Sequence, residues 1–85
     1  MSRHKVPLRD GVAAASAYVG WDRPLQTYFA QVLSAPDEDG EETELVWVGT
    51  DFGELPRAVE AIRVLEPYCH IDASLAAQLE IDRMA

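Results

Sequence analysis

The 85-residue sequence predicts an α+β fold: a small antiparallel sheet of three to four strands followed by two C-terminal helices packed on one face. Two observations carry this. The first half holds β-branched and aromatic runs separated by turn residues, and the second half switches to helical apolar spacing. The acidic stretch falls between two of the strands, so the strands all precede the helices instead of alternating with them.

In chain order, residues 1–5 (Met-Ser-Arg-His-Lys) read as a mobile tail. Val6-Pro7-Leu8 suits a short edge strand, where proline is tolerated. Arg9-Asp10-Gly11 carries an Asp-Gly turn signal. From Val12 to Trp21 the alanines favour helix, but Val12, Tyr18, Val19 and Trp21 favour strand and Gly20 opposes a continuous helix, so the segment reads as a strand. Pro24 fixes its own φ and pushes Arg23 towards extended geometry, which makes Asp22-Arg23-Pro24 a turn.

Residues 24–33 are ambiguous. Leu25, Tyr28, Phe29, Val32 and Leu33 form a helical stripe that Asp22 would cap. As a strand, Tyr28, Ala30 and Val32 share one face, and Thr27, Phe29, Gln31 and Leu33 the other. The Thr-Tyr-Phe run and the loop leading into another strand favour the second reading. Residues 34–43 form an acidic loop. Glu44 to Gly49 is the clearest strand. Its four consecutive apolar residues predict a strand covered on both faces or placed centrally, with Trp47 in the core.

Asp51 and Glu54 have capping-box spacing for a helix starting there, and Pro56 is compatible with its first turn. Leu55, Ala58, Val59, Ile62 and Leu65 make the buried face, and Pro67 stops the helix. Asp72 or Ser74 caps a second helix with Leu75, Leu79 and Ala76 inward.

Net charge is −8, but six of the fifteen acids crowd between Asp37 and Glu44, so the acidity is local to one loop. Such a balance argues against binding nucleic-acid phosphates or anionic membrane surfaces. A decoy that mimics DNA phosphates needs acids spread over a surface, which one crowded loop does not supply. No run of about 18 apolar residues spans a membrane, and no apolar region follows the basic start as in a secretory signal. A single cysteine, Cys69, excludes an internal disulfide and fits a reducing cytoplasm.

The one chemically expressive cluster is Trp21 to Phe29. Its functional reading displays Trp21 and Arg23 as anchors, with Asp22 orienting the guanidinium and Tyr28 beside them. Its structural reading makes the aromatics core and the rest a turn. Starting a calcium loop at Asp37 puts Glu42 where glycine is needed and Val48 where the closing glutamate belongs, so that motif fails. Cys69 and His70 are adjacent and diverge on an extended segment, and one Cys with two His is too few for a zinc site. No phosphate-binding glycine motif or nucleophile elbow occurs. The expectation is a cytoplasmic, non-enzymatic protein with no cofactor, which binds an unknown protein partner or forms a homodimer. The alternative is a small-ligand module with a pocket between sheet and helices, lined by Trp21, Tyr28, Trp47 and Phe52, with Arg23 as polar handle.

Overall fold

The computed structural model describes residues 2–85; Met1, part of the expected tail, lies outside the described residues. Among the described residues the chain forms β1 (His4–Lys5), β2 (Ser16–Asp22), β3 (Thr27–Leu33), β4 (Glu44–Val48), α1 (Ala58–Leu65) and α2 (Leu75–Met84). The strands make one antiparallel sheet in the order β1-β2-β3-β4, and both helices pack on one face, chiefly over β2 and β3. This is the α+β arrangement expected. No helix among the described residues is long and apolar enough to cross a membrane.

The ambiguous segment is a strand. Asp22 pairs with Thr27 across a four-residue turn, and Asp22 Oδ1 accepts the Leu25 amide at 3.3 Å, so the aspartate shapes a hairpin instead of capping a helix. The pleat then sorts the side chains. Ala17, Val19, Trp21, Tyr28, Ala30 and Val32 are at most 4% exposed and face the helices, where they meet Ala58, Ala61, Ile62, Leu65 and Leu79. The alternate positions, Tyr18, Phe29, Gln31 and Leu33, face the open side.

Residues 2–5 are not a free tail. They are tied to the body: the Ser2 amide donates to Trp21 O, Ser2 Oγ accepts the Trp21 amide, and His4 pairs with Val19. On the helix side His4 Nε2 lies 2.6 Å from Asp82 Oδ2 of α2, the one ion pair among the described residues. Asp82 is held below the usual carboxylate range: partial burial works against this, but hydrogen bonds from His4, Ser2 and Gln78 prevail. The expected strand at 6–8 is reduced to a single bridge, Leu8 with Cys69. His70 N to Pro7 O and Arg9 N to Tyr68 O flank it, fastening the N-terminal segment to the chain between the helices. The strand expected over 12–21 begins only at Ser16.

The first helix also starts later than expected. Glu54 accepts the Gly49, Thr50 and Asp51 amides, which holds its carboxyl below the ordinary range. The capping contact to Asp51 therefore forms, but it closes a turn. Gly53 adopts φ +65°, Pro56 disfavours helical geometry at Leu55, and Arg57 is extended, so helix waits until Ala58. Buried Thr27 fixes this segment: its Oγ1 accepts the Leu55 amide at 2.7 Å, and Leu55 O accepts the Tyr28 amide.

Candidate interaction surface on the open sheet

The face of the sheet away from the helices is uncovered. Across its middle run Lys5, Tyr18, Gln31 and Trp47, one from each strand. Arg3 lies over this row: its guanidinium carbon sits 4.0 Å from the Tyr18 ring centre, and Nη2 reaches Gln31 Oε1 at 3.4 Å. Stacking on Tyr18 holds the cation without neutralising it. Arg3 has no carboxylate partner among the described residues. Gly20 permits this arrangement. A Cβ there would stand 2.1 Å from Ser2 O and 2.8 Å from Phe29 Cε1, so only glycine lets residues 2 and 3 cross the strand.

A shallow groove of about 880 Å³ lies between Arg3 and the β4 edge, with Asp22, Phe29, Gln31, Glu44 and Trp47 among its lining residues. Trp47 is 54% exposed there. This corrects the expectation of a core indole. Glu44-Leu45-Val46-Trp47-Val48 occupies the sheet edge, not its centre. Leu45 is 43% exposed, and Val46 and Val48, on the helix side, are only half-buried because the helices sit over the neighbouring strands. The most apolar strand is thus the least covered one.

The four residues singled out from the sequence divide. Trp21 and Tyr28 are core, their ring centres 4.8 Å apart in an edge arrangement. Arg83 of α2, not Arg23, lies over the Trp21 ring at 5.2 Å. Burial pushes the Tyr28 phenol up, against an opposing hydrogen bond from Arg83. Asp22 remains at the surface end of its strand. Arg23 is exposed in the turn, and its carbonyl accepts Gln26 N and Nε2. The geometry does not bring the four together on one surface. The imagined pocket between sheet and helices is occupied by the core itself, with Trp47 on the opposite side of the sheet and Phe52 74% exposed in the following turn.

The residues missed by the sequence reading are Arg3, Tyr18 and Gln31, while Trp47, expected in the core or in a pocket between sheet and helices, stands instead on the open face. One signal pointed to them: Gln31 is the one polar residue inside the apolar run Tyr28 to Leu33, and its position marks the solvent side. Elsewhere, Cys69 is fully buried, which pushes its thiol up, while His70 is exposed, so the two form no nucleophile–base pair. Among the described residues no group of three or more His, Cys, Asp or Glu side chains is placed to hold a metal ion.

No family model matches this chain, and no curated protein or solved structure matches it either.

Proposed function

We propose that this chain is a small cytoplasmic protein-interaction module whose contact surface is the open sheet face and free edge around β4. The observation that carries the reading is Trp47, more than half exposed in the middle of an apolar strand. An exposed indole in one groove with an unneutralised Arg3 supplies two of the residue types that dominate binding energy at interfaces. The reading is of a binder, not a catalyst. Its lone thiol is buried, and the surface around Trp47 combines an indole and a guanidinium with no nucleophile–base pair.

The test is affinity capture from native host extract with the wild-type chain and with Trp47→Ser, after circular dichroism has shown that both are folded. Partners retained by the wild type should be lost from the variant. Equal capture by a folded Trp47→Ser protein would refute this surface.

Unpaired Arg3 beside Trp47 favours a second reading, a small anionic aromatic ligand lying in the open-face groove. Trp21 is buried on the other side of the sheet, so a ligand entering the groove changes mainly the emission of Trp47. A panel of aromatic carboxylates that leaves the emission of Trp47 unchanged disposes of this reading.

A further inference from the structure

We propose that the occupant of the β4 edge is a second copy of this chain, joined strand to strand in antiparallel register about Trp47. This rests on the interaction reading above and specifies its partner.

Leu33 O accepts the Ala15 amide on the β2 side, whereas Ser34 N donates to Thr43 O on the β4 side. The alternation of an antiparallel ladder therefore turns Ala30 and Val32 towards β4, where they pair with Val48 and Val46. Trp47 lies between those two, so its amide and carbonyl point out of the sheet. Beyond it, Gly49 N is already taken by Glu54, and a bulge at Leu45 interrupts the ladder. The free edge is a three-residue template, Val46-Trp47-Val48.

That template is its own complement. A two-fold axis normal to the sheet at Trp47 sets Trp47 against Trp47 of the second copy, sharing two N–H···O bonds. Val46 then opposes Val48 in both directions, which satisfies the isologous rule that one patch must fit itself. The same axis keeps all four helices on one face and makes the two β4 strands the central pair of an eight-stranded sheet. Their apolar pattern, misplaced at an edge, suits that position. It also gives the groove beside Trp47 a wall on its open side.

Charge tempers this register at its two ends, where Glu44 comes beside the second copy's Thr50, whose amide Glu54 already holds, so added salt should favour the dimer. The two Glu44 residues themselves stand six strand positions apart, about 20 Å at the usual rise. That exceeds the screening length of about 8 Å at physiological salt. The acidic loops, which precede Glu44, lie at opposite ends of the shared strand pair. In contrast, stacking two open faces would cover little area and hold both loops over one small sheet. One pair of short strands buries less than the roughly 800 Å² per partner of a standard interface, so the dimer is weak and concentration-dependent.

Sedimentation equilibrium from micromolar to millimolar concentration, with hydrogen exchange at each concentration, tests the proposal. The expected result is a reversible dimer in which the Trp47 amide, exchanging fast in the monomer, gains protection as mass rises. Trp47→Pro removes the outward N–H without taking a bond from β3, as an edge position allows. It should raise the dissociation constant by about thirtyfold, the loss of two hydrogen bonds. Val46→Thr, which keeps strand propensity and the outward backbone of Trp47, serves should the proline variant unfold, and should weaken the dimer severalfold. Met84→Ser, at an exposed site on α2, should change nothing. A monomer throughout the range overturns the second copy as occupant; the interaction reading then survives if Trp47→Ser still loses captured partners. A dimer without protection at Trp47, or one indifferent to both β4 variants, also overturns the proposal.

Discussion

Replacing Gly20 by alanine tests how the N-terminal segment is seated. The added Cβ would lie 2.1 Å from Ser2 O, 2.7 Å from Ser2 C and 2.8 Å from Phe29 Cε1. The Phe29 ring can swing aside, but the Ser2 carbonyl is backbone and must move by well over 1 Å to reach ordinary contact, the kind of overpacking that costs about 1–3 kcal/mol. If residues 2–4 lift away instead, the two Ser2–Trp21 hydrogen bonds and the His4–Asp82 pair are lost. At about 1 kcal/mol per interaction this comes to roughly 3 kcal/mol, so either route predicts about 2–3 kcal/mol. For a domain this size the melting temperature should fall by roughly 10–20 °C. The assay is thermal unfolding by circular dichroism, run in parallel on a chain that begins at His4. With Ser2 gone, most of the clash is gone, and the same substitution should cost under about 1 kcal/mol. The difference between the two backgrounds is the coupling energy. A Gly20→Ala protein that melts within 2 °C of wild type, or equal costs in both backgrounds, would refute this account of how residues 2 and 3 cross β2.

The other predictions concern the core, the acid pair, the loop and the turn. Leu65→Ala, fully buried, should cost about 2–5 kcal/mol in urea unfolding, and Trp47→Ser clearly less; the opposite order would place Trp47 in the core after all. Asp82 has a lowered folded-state pKa, so its contribution is present above the ordinary carboxylate range and lost as pH falls through the lowered value. Asp82→Asn should therefore melt below wild type at neutral pH and converge with it in acid, and a gap constant with pH would contradict the linkage. Replacing residues 37–42 by a short Gly-Ser turn should leave the melting temperature unchanged or higher, since their side-chain contacts are local ones such as Asp37 Oδ1 to the Asp39 and Glu41 amides. A lost fold would show that the loop is structural. Arg23→Ala should stay within about 0.5 kcal/mol of wild type by the same unfolding assay, as exposed substitutions usually do.

The sheet-then-helix order was legible in the sequence because it depends on spacing, and the pleat of β3 separates Tyr28, Ala30 and Val32 from Phe29, Gln31 and Leu33 whatever lies around it. What was not legible is what covers each face, since that depends on strand order and helix placement, which spacing does not encode. Val46-Trp47-Val48 reads as a covered strand, and its residues are indeed those of one. The fold puts it at an edge because β3, entered through a tight hairpin from β2, has only one side left, and the helices lie over β2 and β3. Arg3 was hidden for a related reason: its place over Tyr18 depends on the missing Cβ of Gly20, and no local pattern joins positions so far apart. The mismatch at β4 points the same way as the geometry. A strand whose composition suits a sheet interior, held at an edge with Trp47 turned outward, is consistent with one chain and its environment at odds, and a partner strand resolves the conflict without changing a residue.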